Sequence, residues 1–128
     1  MTRSVLTVDL KDDPHVVEAY RRYHAHVWPE VRASLQRAGI HRMDIFILQR
    51  RLVMVVETDG RDFRACLDAH VATHPRVAEW EALMQSMQQP APGATPGEWW
   101  TVMEPVFTLN GGSPDGSSAA DQPAPRSG

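Results

Sequence analysis

Apolar and polar residues alternate from Ser4 to Leu10. Leu6, Val8 and Leu10 share one side while Thr7 and Asp9 share the other, which predicts a half-buried strand. Lys11-Asp12-Asp13-Pro14 breaks the alternation, and Asp12 or Asp13 can cap a helix that carries Pro14 in its first turn. The period then lengthens. Val16 or Val17, Tyr20, His24 and Val27 follow the inner face of a helix reaching about His26, with Glu18, Arg21 and Arg22 outside. Trp28-Pro29 interrupts it, because the proline ring disfavours helical geometry at the preceding residue and suits the start of a new helix. That second helix runs from Glu30 to Ala38 with Val31, Leu35 and Ala38 inward, and Gly39 ends it in a left-handed cap.

His41 to Gln49 alternates again, Met43, Ile45 and Ile47 against Asp44, Phe46 and Leu48. Both sides are apolar enough to predict a central strand covered on both faces. Arg50-Arg51 marks a turn, and Leu52 to Thr58 returns antiparallel. Asp62 caps a short helix with Phe63, Cys66 and Leu67, and Thr73-His74-Pro75 restarts the chain as a longer one. Val77, Trp80, Leu83 or Met84, and Met87 line one face of the longer helix. Pro90 to Gly97 is a loop, and Trp100 to Leu109 reads as a last strand, placed at an edge or bulged by Pro105.

The resulting order, β-αα-ββ-αα-β, predicts an α+β ferredoxin-like plait: one antiparallel sheet with helices on one face. The uncovered sheet face needs a partner, and a second copy of the same sheet supplies one, giving a homodimeric α/β barrel. Residues 1–109 form this domain. Residues 110–128, rich in Gly, Ser, Pro and Ala, are expected to be disordered.

Composition narrows the function. The chain has 128 residues and a net charge of −3 with interspersed signs, so neither a nucleic-acid surface nor an acidic tail is indicated. No run is long and apolar enough to be a secretory leader or a membrane span, and the single Cys66 suits a reducing compartment. A soluble cytoplasmic protein is expected.

Candidate chemistry concentrates at Tyr20-Arg-Arg-Tyr-His-Ala-His-Val-Trp-Pro-Glu30. Tyr20 and His24 have the i, i+4 spacing that puts two proton carriers on one helix face, suited to general acid–base work. The same spacing also fits a core tyrosine beside a hydrogen-bonded histidine. His24 and His26 point in different directions on a helix, and Pro75 interrupts the register of His70 and His74, so no metal site is expected. Trp28, Trp80, Trp99 and Trp100 can stack on sugar faces or fill core and interface, with Trp80 best placed for a pocket. Cys66 lies on an apolar stripe with no neighbouring base and reads as inert packing. No phosphate loop, dinucleotide fingerprint or nucleophile elbow occurs.

Tyr20-x-x-x-His24, with Val27-Trp28-Pro29-Glu30, Gly39-Ile-His41, the Trp80 helix and Glu104-Pro-Val-Phe107, resembles the L-rhamnose mutarotase family over about residues 3 to 109. The resemblance implies a dimeric plait that interconverts the α and β anomers of a free 6-deoxy-L-sugar without metal or organic cofactor. It assigns proton transfer to His24 and Tyr20 and sugar packing to Trp80. Met43, Asp44 and Trp28 complete the expected substrate contacts. Met43 stands where the rhamnose enzymes have a pocket tyrosine, and the stretches Leu10 to Pro14 and Val77 to Met84 look more like the branch described as L-fucose mutarotases. L-Fucose is therefore favoured over L-rhamnose. Alternatives on the same plait are a cofactor-free oxygenase, a haem-handling protein and a non-catalytic small-ligand-binding dimer.

Overall fold

The computed structural model describes residues 2–109; the tail expected to be disordered, 110–128, lies outside the described residues. The chain runs β1 (Thr2–Leu10), α1 (Pro14–Ala25), α2 (Pro29–Arg37), β2 (Ile40–Leu48), β3 (Arg51–Thr58), α3 (Phe63–Val71), α4 (Pro75–Met87), β4 (Gln88–Gln89) and β5 (Thr101–Met103). The helix starts follow from local chemistry. The Asp13 carboxylate accepts the His15 N–H at 2.9 Å, and Asp62 accepts the Ala65 N–H at 2.8 Å. Proline opens α1, α2 and α4, where a missing N–H costs nothing.

The antiparallel sheet has the order β2-β3-β1-β4, with β5 sharing the outer edge of β1 with β4. Registers Leu6↔Met54 and Ile45↔Met54 put Leu6, Val8, Leu10, Leu52, Met54 and Val56 on one face, with Met43 and Ile45 beside them. All four helices cover that face. Val8, Leu10 and Leu52 pack against Tyr20, Val31, Trp80, Met84 and Met87, while Leu6, Met54 and Val56 pack against Phe63 and Cys66. This is the expected ferredoxin-like plait.

Two expectations about the strands are corrected. Among the described residues β2 is not central; it pairs only with β3, and its second backbone edge meets no described strand. Its outward side chains point to the sheet face that no helix covers and stay open, Phe46 at 59% and Leu48 at 76% exposure. The last strand also stops at Met103 instead of reaching Leu109, because Pro105 offers no N–H to extend a ladder. Its other half is the two-residue β4 that follows α4 directly, which the sequence did not suggest.

Gly39 ends α2 at φ +96° and accepts the Asp59 N–H at 3.0 Å, which ties the helix end to the loop after β3. A Cβ here would run into the Arg61 guanidinium and stand 2.8 Å from Asp59 Oδ2. Gly39→Ala is expected to lower stability by about 1–2 kcal/mol, measured by chemical denaturation.

Candidate active site

α1 carries Tyr20 and His24 across the helix-covered face of the sheet, and their rings stack with centroids 4.2 Å apart and planes 29° from parallel. The i, i+4 spacing produces this contact once the helix forms. Trp80, 4% exposed on α4, meets the His24 ring edgewise at 5.5 Å. Trp28 meets Trp80 at 5.1 Å, and the Arg76 guanidinium lies over its outer face at 3.8 Å.

Two spaces meet at this pair. An open cleft of about 590 Å³ runs between α1, α2 and β2, with Arg21, Arg32, Arg42 and His41 among its lining. An inner cavity of about 100 Å³ lies deeper, lined by Met54, Trp80, Glu81, Met84 and Gln88. Tyr20, His24, Val27, Leu35, Met43 and Ile45 line both. The Tyr20–His24 pair thus stands where a solvent-open groove meets a smaller, mostly apolar pocket.

The hydrogen bonding fixes the state of His24. Its Nδ1 lies 3.0 Å from the Tyr20 carbonyl oxygen, which can only accept, so Nδ1 carries the hydrogen and Nε2 presents a lone pair. Burial holds the His24 pKa below its ordinary value, with the Tyr20 carbonyl opposing part of that shift. Burial pushes the Tyr20 hydroxyl well above the usual tyrosine range; the Gln88 side chain offsets part of the shift and the Glu81 charge adds to it. A neutral imidazole and a protonated phenol therefore coexist near neutral pH.

The structure brings together Tyr20, His24, Trp80 and Met43, four of the six expected site residues. Trp28 supports Trp80 from behind and does not line either space. Asp44 is not brought to the site. Its register with Val55 turns it to the open sheet face, where it pairs with Arg42 at 2.8 Å. Neighbours in a strand point to opposite faces, and while Met43 lines both spaces Asp44 lines neither. His70 ends α3 and His74 caps α4, accepting the Arg76 N–H at 3.0 Å, so these two histidines belong to different elements. Cys66 is fully buried, and burial raises its thiol pKa, consistent with packing.

Sequence reasoning missed Glu81 and Gln88. Glu81 shares a helical stripe with Val77 and Met84 at spacings of four and three, which signals its face of the helix but not the cavity it meets, and Gln88 lies past the helix in β4.

Comparison with known proteins agrees with this architecture. The family model for L-rhamnose mutarotase matches residues 3–109. An L-fucose mutarotase from Xanthomonas campestris pv. campestris is 43% identical over 113 residues, covering 86% of this chain and 90% of that protein. An L-rhamnose mutarotase from Klebsiella pneumoniae subsp. pneumoniae is 29% identical over 119 residues, covering 91% and 88%. The crystal structure of an L-rhamnose mutarotase from Formosa agariphila superposes with a TM-score of 0.61 at 21% identity, covering 85% of this chain and 99% of that one. The shared plait, the match across nearly all of the described residues and the 43% identical relative show that this chain belongs to the L-rhamnose mutarotase family.

Proposed function

We propose that this protein is a mutarotase, an isomerase that interconverts the α and β anomers of a free 6-deoxy-L-sugar, with L-fucose favoured over L-rhamnose. The carrying observation is the stacked Tyr20–His24 pair on the wall of an apolar cavity, with Nδ1 tied to a carbonyl and Nε2 left as an acceptor. The 43% identity to an L-fucose mutarotase supports the sugar preference, as does Met43 in place of a pocket tyrosine.

In this reading His24 Nε2 removes the proton from the anomeric O1 while the Tyr20 hydroxyl protonates the ring oxygen O5. The C1–O5 bond breaks and the sugar opens to its aldehyde. Rotation about C1–C2 presents the other carbonyl face. Closure runs the transfers backwards: O5 returns its proton to Tyr20 as it attacks C1, and His24 reprotonates O1. The imidazolium and phenolate of the open form face one another across the 4.2 Å stack, so their charges offset within a site that burial makes hostile to either alone. Trp80 and Met84 supply apolar surface for the sugar's C–H faces. Saturation-transfer NMR between the two anomeric protons tests the reading directly.

The sign of the pH dependence follows from His24. Protonation removes the base, so the rate falls as pH falls. The depressed folded pKa puts that fall below the ordinary histidine value of about 6.5. Enzyme-catalysed kcat/KM, after subtraction of the spontaneous rate, is expected to stay flat from pH 7.5 down to about 6.5 and to decline only below it. An acid limb centred above that value would remove His24 as the base.

The active form in this reading is a homodimer in the cytoplasm. Phe46 and Leu48, with Met103 at 44% exposure, form an apolar patch on the open sheet face beside the half-buried Val5, Val53 and Val55. A second copy seated there by a two-fold axis would bury all six. Sedimentation is expected to give a dimer for the wild-type chain and a monomer for Phe46→Asp; a wild-type monomer at tens of micromolar would refute it. The free, buried Cys66 supports a reducing compartment, and among the described residues no helix is long and apolar enough to cross a membrane.

A further inference from the structure

The inner cavity has one polar wall that the acid–base reading leaves unused. His70 is fully buried, and its ring faces Ser34, also fully buried. The hydrogens there can be placed one by one. The Thr73 hydroxyl lies 2.7 Å from the His70 carbonyl oxygen, which only accepts, so Thr73 donates to it. The Ser34 hydrogen then goes to Thr73 Oγ1 at 2.7 Å, with the His70 carbonyl oxygen at 3.2 Å as its second acceptor. Ser34 is left with lone pairs toward His70 Nδ1 at 2.8 Å, so Nδ1 carries the ring hydrogen. In the neutral ring Nε2 is therefore a bare acceptor.

That Nε2 has no hydrogen-bond partner among the described residues. It faces Glu81 Oε1 at 3.6 Å, beyond hydrogen-bond reach, and both side chains line the inner cavity with Tyr20, Trp80 and Gln88. Two acceptors facing each other across a buried gap need donors between them. The cavity, about 100 Å³, is far larger than one bridging water requires, which is about 10–15 Å³.

Resting on the mutarotase reading above, we propose that His70 Nε2 and the Glu81 carboxylate form an acceptor pair that reads two non-anomeric hydroxyls of the bound sugar. Glu81 touches the sugar and sets specificity. Ser34 and Thr73 are positioning residues that fix the His70 tautomer. The chemistry recognised is a pair of neighbouring hydroxyls on a ring whose anomeric end lies at Tyr20 and His24. A site built to accept from a particular hydroxyl discriminates strongly against a ligand that lacks it, because the buried acceptor is then left unpaired.

The test pairs changes in the protein with changes in the sugar. Anomer exchange is measured by saturation-transfer NMR for wild type, Glu81→Gln and Glu81→Asp, each with L-fucose and its 2-, 3- and 4-deoxy derivatives. The Glu81 side chain is 25% exposed, so the substitutions leave the core in place, and thermal melts verify that both variants fold. Glu81→Gln is expected to lower kcat/KM for L-fucose by about 10- to 100-fold, chiefly through KM. Wild type is expected to lose as much on two deoxy sugars with neighbouring positions, one for each acceptor, and the variant to lose little more on one of those two. Losses that multiply equally across all four sugars would make Glu81 structural and overturn the proposal, as would no loss at all or a gap filled only by water. A wild-type protein that leaves every sugar at its spontaneous rate overturns the mutarotase reading and this proposal with it.

Discussion

His24→Ala is expected to abolish nearly all catalysed anomer exchange, lowering kcat by about 10²- to 10⁴-fold while the protein stays folded. The side chain is only half-buried and its one hydrogen bond runs to the carbonyl of its own helix, so its loss leaves the fold intact. What goes is the Nε2 lone pair, held at the cavity wall by the Nδ1 bond and kept free of protons by burial. Tyr20→Phe is the companion experiment, because it deletes only the hydroxyl and keeps the ring stacked on His24. Acid and base act in one step, so His24→Ala with Tyr20→Phe should be little slower than the worse single variant. The readout is catalysed exchange per enzyme, with circular dichroism as the folding control. If both single variants retained wild-type exchange, the chemistry would have to lie elsewhere.

Trp80→Ala is expected to cost about 3–5 kcal/mol of stability, read from the shift in denaturant midpoint. The indole is 4% exposed and meets Tyr23, His24 and Trp28 edgewise at 6.1, 5.5 and 5.1 Å. Removing it takes apolar surface from the centre of the larger core cluster and opens that space into the inner cavity. Domains of this size are stable by only about 5–15 kcal/mol, so the loss is a large share of the whole. Trp80→Phe keeps most of the aromatic surface and should recover more than half of the loss. A midpoint unmoved in Trp80→Ala would mean that the α4 face does not hold the helices to the sheet.

The plait was legible because its signals are local. Period-two alternation marked β1 and β3, period 3.6 marked α1 and α4, and Asp13, Pro29, Gly39 and Asp62 fixed helix ends through hydrogen-bonding and backbone rules that need no tertiary context. Strand order is not local. An apolar β2 reads as central, but β1 pairs with the far side of β3 and no described strand takes the free side of β2, and its apolar outer face is open in the single chain. Likewise β5 is short because Pro105 and the lack of a second partner outweigh an apolar run.

The site divides the same way. Tyr20 and His24 share one helix, so spacing alone brings them together. Met43 and Asp44 are sequence neighbours separated by the pleat, and only the register with β3 shows that Met43 faces the cavity while Asp44 does not. Glu81, Gln88 and His70 reach the cavity from α4, β4 and α3, so their approach depends on helix packing that no short window encodes. The buried Nε2 of His70 stands out only after its neighbours' hydrogens are assigned.

The most direct test of the central claim is saturation-transfer NMR of the wild-type protein with L-fucose and L-rhamnose in parallel at neutral pH. Exchange between the anomeric protons well above the spontaneous rate, faster for L-fucose, is the predicted result. Both sugars remaining at the spontaneous rate would contradict the mutarotase reading. Faster exchange on L-rhamnose would keep the chemistry and overturn the sugar preference.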